Sequence, residues 1–190
     1  ACTATVMIEI MGENLNEMPS RIKGAALSCI LSDTLGFRSP TTTDLDRSTA
    51  QKLAEDLKID VQYFASELFK AKSDVSKYTD PELILMDSKK YDVGGKKLRI
   101  SVMETTQPQE ILGRKKSLLK AMKDIEAEEG VDQILFFVID ILKQEAILFV
   151  PNKLVKEIAE KSFGTSCVED TAILPGVLSR KKQIIPQLKV

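Results

Sequence analysis

The chain has 190 residues, 43% of them hydrophobic and 29% charged, an ordinary balance for a soluble globular protein. Its formal net charge of −1 gives no global attraction to nucleic acid or to an anionic membrane, so any anion site has to be local. It contains no histidine, which excludes a Ser-His-Asp or Cys-His pair and removes the commonest transition-metal ligand. The length allows one large domain or two small ones. The longest apolar run, Ile134 to Ile139, is far short of the ~20 residues of a membrane span, and no secretory signal opens the chain. Three cysteines (Cys2, Cys29, Cys167) without metal spacing read as reduced thiols of a cytoplasmic protein, most simply buried as small hydrophobes.

Ala1 to Met11 reads as a helix, with Val6 and Ile10, and Met7 and Met11, at helical spacing. Pro19 to Phe37 reads as a second, with Ile22, Ala26, Ile30, Asp33 and Phe37 following one face and Gly36 as a stop. An aspartate on an apolar stripe is costly unless it is hydrogen-bonded, ion-paired or bound to a metal, and the residues leave that choice open. A third helix runs from Thr43 or Asp44 to Leu57, with Leu45, Ala50, Leu53 and Leu57 inward. A fourth spans Val61 to Lys70. Residues 73–79 are polar, lose the period and read as a linker.

Beyond it, Pro81 to Leu85 suggests a short helix. Alternating residues around Gly94-Gly95 predict a β-hairpin in which Leu98, Ile100 and Val102 share a face. Lys89 in its first strand is either a solvated edge lysine or a ligand contact. Pro108 to Glu128 predicts one amphipathic helix. Its Lys115, Lys116 and Lys120 read as a solvated face, because no aromatics are interleaved to stack nucleic-acid bases. Gln133 to Ile141 suits a strand covered on both faces, and Ala146 to Val150 an antiparallel partner. Asp140 reads as a strand-end residue rather than a catalytic one. A helix over Asn152 to Lys161 and a strand over Thr171 to Leu174 lead to Ser179-Arg180-Lys181-Lys182-Gln183. There three cations sit between the apolar pairs Val177-Leu178 and Ile184-Ile185. The cluster is either an incidental basic turn or a phosphate-like anion site, where arginine offers a planar fork and lysine a point charge.

Four stretches carry a resemblance. They are Cys2-Thr3-Ala4-Thr5, Ser32-Asp33-Thr34-Leu35 with Ser39-Pro40-Thr41-Thr42-Thr43, Asp87-Ser88-Lys89-Lys90-Tyr91, and Ser179-Arg180-Lys181-Lys182-Gln183 with Ile184-Ile185-Pro186. In order and nearly end to end, they resemble the family II (manganese-dependent) inorganic pyrophosphatases of the DHH phosphoesterase superfamily. The resemblance implies an α/β fold. Residues 1–72 would be the helical tail of a DHH phosphoesterase domain, 73–79 a linker, and 80–190 a mixed-sheet α/β C-terminal substrate-binding domain.

It also implies hydrolysis of pyrophosphate to two phosphates by two-metal catalysis, with Mn2+ or Co2+ as resident ions and Mg2+ arriving with the substrate. Asp33 would be one metal ligand, while Lys89, Arg180 and Lys181 would clamp the substrate. The family's remaining ligands lie in upstream His-x-x-x-Asp-x-Asp, Asp and Asp-His-His motifs that this sequence lacks. The chain therefore reads as the C-terminal portion of a longer cytoplasmic protein, inactive alone and expected to homo-oligomerise. Partners are pyrophosphate and the missing N-terminal part of the DHH domain, with no nucleic acid and no membrane. One departure is Val102, which stands where the family usually has glutamine. Alternatives are a superfamily phosphodiesterase acting on short polyphosphates or cyclic nucleotides, and a non-enzymatic anion-binding module.

Overall fold

Apolar residues at helical spacing build the first of two units in the computed structural model, which describes all residues, 1–190. This unit, Ala1–Lys72, contains α1 (Thr3–Met11), α2 (Ser20–Asp33), α3 (Asp44–Leu57) and α4 (Val61–Lys72). Leu27, Ile30, Leu31 and Leu53 are fully buried, so these helices form a core of their own. Helix α2 stops at Asp33, short of the expected Phe37. Leu35, Gly36 and Phe37 all adopt positive φ, and the Gly36 N–H turns back to the Leu31 carbonyl at 2.8 Å. The reversal lets α3 start at its Thr43 cap. Leu45, expected inward, is exposed, and Asp46 takes the buried position instead.

The second unit, Ser73–Val190, holds α5 (Asp80–Met86), β1 (Ser88–Val93), β2 (Lys96–Thr105), α6 (Pro108–Gly113), α7 (Lys115–Glu129), β3 (Gln133–Asp140), β4 (Glu145–Phe149), α8 (Lys153–Phe163), β5 (Cys167–Val168) and β6 (Thr171–Pro175). The strands form one mixed sheet in the order β1-β2-β3-β4-β6-β5. Only β2 and β3 run parallel, joined by the α6–α7 crossover. Every residue of β3 is buried, as its continuous apolar run requires. Ile134, Phe136 and Val138 pack with Leu118, Met122 and Ile125 of α7. On the opposite face, the Phe137 ring meets Phe163 of α8 edge-on. The fold is thus α/β, with helices on both faces of the sheet.

Residues 73–79, expected as a linker, cluster with the second unit. Val75 and Ser73 are buried, and the Ser73 Oγ accepts from the Thr106 N–H at 2.8 Å. Arg114 holds this segment in place. Its guanidinium donates to Asp80 at 2.8 Å and to the carbonyls of Tyr78 and Val75 at 2.9 and 3.3 Å. The single helix expected over 108–128 is accordingly two, α6 and α7, divided at Arg114. Asp140 closes the β3–β4 turn, accepting from the N–H groups of Leu142 and Lys143 at 3.0 Å each. No helix is long and apolar enough to cross a membrane.

Candidate functional site

Alternation along β1 sorts its side chains by face. Lys90 lies opposite Arg99 and ion-pairs at 3.2 Å with Glu129, the last residue of α7, which Arg99 also binds. Those two charges hold the Glu129 carboxyl below its usual range, Arg99 contributing most. Lys90 therefore serves the α7 face of the sheet. Lys89 lies opposite Ile100 and shares the other face with Ile100 and Val102, the latter in line with Phe137. Its ammonium is exposed and has no acidic partner. Geometry thus separates two adjacent lysines that composition cannot.

The chain meets that face again at the basic turn. Gly176, at φ +74°, swings the backbone out of β6. Ser179 is extended, Arg180–Ile184 forms one wide helical turn, and Ile185–Gln187 a tighter one. Gln183 locks the loop. Its Oε1 accepts from the N–H groups of Leu178 and Ser179 at 2.9 and 3.0 Å, and its Nε2 donates to the Gly176 carbonyl at 2.7 Å. Ile184 is fully buried and Val177 and Leu178 nearly so, whereas Ile185 is half-buried. The cations are therefore anchored on one apolar pair and half of the other.

Arg180 reaches from this turn to the start of β1. Its Nη1 donates to the Asp87 carbonyl at 2.9 Å, and its Nη2 pairs with the Asp87 carboxylate at 2.8 Å. The same carbonyl accepts from the Val102 N–H at 2.9 Å, which continues the β1–β2 ladder by one residue. Asp87 and Lys89, two apart, consequently point to one face, and Arg180 is fixed beside them. Lys181 follows Arg180 in the turn and is exposed without an acidic partner. Val102 is buried in the sheet. Asp87 and Gln183 were not singled out from sequence, although Asp87 opens the quoted Asp-Ser-Lys-Lys-Tyr stretch.

Asp33 belongs to the other unit. Expected on an apolar stripe, it is instead exposed, because α2 ends there and the backbone turns away. No side chain or N–H donates to its carboxylate. Its charge lies at the helix C-terminus, where the macrodipole disfavours an anion. It lines a groove of about 650 Å³ with Cys2, Met7, Cys29, Ser32 and Leu68. Burial, with a smaller contribution from the Asp33 charge, pushes the neighbouring Cys2 thiol up. Nowhere do three or more His, Cys, Asp or Glu side chains gather to hold a metal ion. Asp33 thus offers a single exposed carboxylate, with no further pair of acidic, histidine or cysteine side chains beside it to complete a metal site.

The family model of the DHHA2 domain matches residues 66–190. The chain belongs to the DHHA2 domain family. The matched DHHA2 region includes the whole sheet, Lys89 and the basic turn. The chain is also similar over nearly its full length to larger proteins. A manganese-dependent inorganic pyrophosphatase of Methanocaldococcus jannaschii is 39% identical over 96% of this chain and 59% of its own length. The Bacillus subtilis protein of the same name is 37% identical, over 98% and 60%. A crystal structure from Methanococcus jannaschii, provisionally assigned as a family II inorganic pyrophosphatase, superposes with a TM-score of 0.82 at 37% identity. It covers 97% of this chain and 62% of that one. The chain thus spans about 60% of the length of the curated relatives it matches.

Proposed function

We propose that this chain works within a manganese-dependent inorganic pyrophosphatase of the cytoplasm, supplying one metal ligand, Asp33, and a cationic clamp for the substrate, Lys89, Arg180 and Lys181. The observation that carries the reading is the Arg180–Asp87 contact, which holds a guanidinium fork at the end of the strand bearing the unpaired Lys89. The names of the relatives support pyrophosphate as the substrate. Pyrophosphate is a polyanion whose far oxygens match a planar fork flanked by point charges.

Asp33, together with ligands from the rest of the DHH domain, would hold manganese, which would supply an activated water and offset charge on the leaving phosphate. The residues of this chain position the substrate. Arg180 presents paired N–H groups, while Lys89 and Lys181 neutralise the remaining charge. Lys90 is committed to Glu129 and takes no part.

The test is phosphate release from pyrophosphate, with manganese, by the longer protein carrying this chain. Asp33→Asn keeps the size but removes the charge, and is expected to lower manganese affinity and turnover by roughly 10- to 100-fold or more. Normal turnover and manganese affinity in that variant would make Asp33 structural. Manganese-dependent phosphate release from the purified 190-residue chain alone would contradict the need for outside ligands.

A further inference from the structure

Asp87 is a carboxylate beside a cluster proposed to attract an anion, and long-range electrostatics alone would disfavour it there. Its contacts give it another task. Arg180 is held at two points of one residue, by Nη1 on the Asp87 carbonyl at 2.9 Å and by Nη2 against the carboxylate at 2.8 Å. The Arg180 side chain is 15% exposed and the Asp87 side chain 56%, so the arginine is packed down while the carboxylate lies at the rim.

We propose that Asp87 is a positioning residue for Arg180, fixing the plane of the guanidinium so that its remaining N–H donors meet a phosphate-type dianion together with Lys89. This rests on the proposed clamp role of Arg180. The physical gain is pre-organisation. A free arginine loses several rotatable bonds' freedom on binding, whereas one already held by a fixed backbone carbonyl and a carboxylate loses less. The carbonyl is fixed because it also accepts from Val102 inside the sheet ladder, so it cannot swing with the side chain. Adding Asp87 therefore lowers the net positive charge of the cluster but orders its one bidentate donor. Ser88, the next residue, bonds Arg99 on the opposite face, so the arrangement is specific to Asp87 among its neighbours.

The ordering and charge effects have opposite signs, which makes them separable. Calorimetric titration of pyrophosphate into the 190-residue chain compares Asp87→Ala and Asp87→Asn with the unaltered sequence. Asp87→Ala is expected to bind about three- to tenfold more weakly, the range of one net hydrogen bond. Asp87→Asn keeps an oxygen acceptor and is expected to restore binding to within about twofold. Tighter binding in both variants, or unchanged binding in Asp87→Ala, overturns the proposal. A second readout needs no ligand. Guanidinium NMR of Arg180 should show hindered rotation about Nε–Cζ that is lost in Asp87→Ala, and equal rotation in the two overturns the proposal. If rotation is released but the unaltered chain takes up no pyrophosphate, the clamp reading fails while the positioning of Arg180 stands.

Discussion

Asp46 accepts four hydrogen bonds, from the Thr5 hydroxyl at 2.6 Å, the Cys2 N–H at 2.8 Å, and the hydroxyl and N–H of Thr43 at 2.8 and 2.9 Å. It thereby ties the N-terminus of α1 to that of α3. Burial pulls its carboxyl upward, but these donors outweigh it and bring the pKa to about 2, from an ordinary 3.8. A depressed carboxyl stabilises the fold above its unfolded pKa and loses that contribution as pH falls through its folded one. The contribution, about 2 kcal/mol, should be complete above pH ~4 and fade toward pH ~2. Asp46→Asn should therefore cost about 2 kcal/mol at neutral pH, and its disadvantage should shrink in denaturant melts run at falling pH. A constant gap would contradict the assignment. Asp33 differs in its contacts, being an exposed carboxylate at a helix end with no donor. Replacing it by asparagine should leave thermal stability unchanged or slightly raised. The start of α3 at Thr43 or Asp44 was legible in the sequence, because threonine before a helix has a local job. Asp46 was not, since its partners Cys2 and Thr5 are brought to it only by tertiary packing.

Strands, hairpin and most helices follow from period and turn residues, and the face assignment of Lys89 over Lys90 follows once the β1–β2 register is known. Some features did not. Strand β5, Cys167–Val168, is too short to show any period. The α6–α7 break has no proline, only Gly113 as a weak local signal, and reflects Arg114 turning inward to bind Asp80 and two carbonyls. The basic motif was legible as a chemical cluster but not in shape, because its wide turn depends on Gln183 satisfying three backbone groups of the preceding segment. Gln183→Ala leaves those groups to water and is expected to cost about 1–3 kcal/mol. It should also loosen Arg180. Thermal unfolding of that variant at the unaltered midpoint would show that the loop holds itself.

At the scale of the whole molecule, the division after Lys72 makes the polar run 73–79 part of the second unit. Its polarity hid Val75, a single buried apolar residue among charged neighbours. Fragment 73–190 keeps its entire core cluster and should fold alone, whereas fragment 80–190 loses Val75 and two acceptors of Arg114. The shorter fragment should be less stable by about 2 kcal/mol or more, and equal urea midpoints would contradict this. Val6, Met7 and Ile10 of α1 are 44, 60 and 81% exposed, an apolar strip on a helix that buries only Thr5 and Ile8. Contiguous strips of this kind drive association. Light scattering should find concentration-dependent self-association of the chain, reduced by Ile10→Lys.

The most direct test of the clamp is calorimetric titration of pyrophosphate into the 190-residue chain at two ionic strengths, with Arg180→Lys and Lys116→Ala as variants. Without metals the affinity should be weak, with a Kd of roughly 1 mM, and weaker at higher salt because the exposed lysines are screened. Arg180→Lys keeps the charge but loses the fork, and should weaken binding about three- to tenfold, while Lys116→Ala on the outer face of α7 changes nothing. Equal behaviour of the two variants would make the motif an ordinary basic turn and contradict the account.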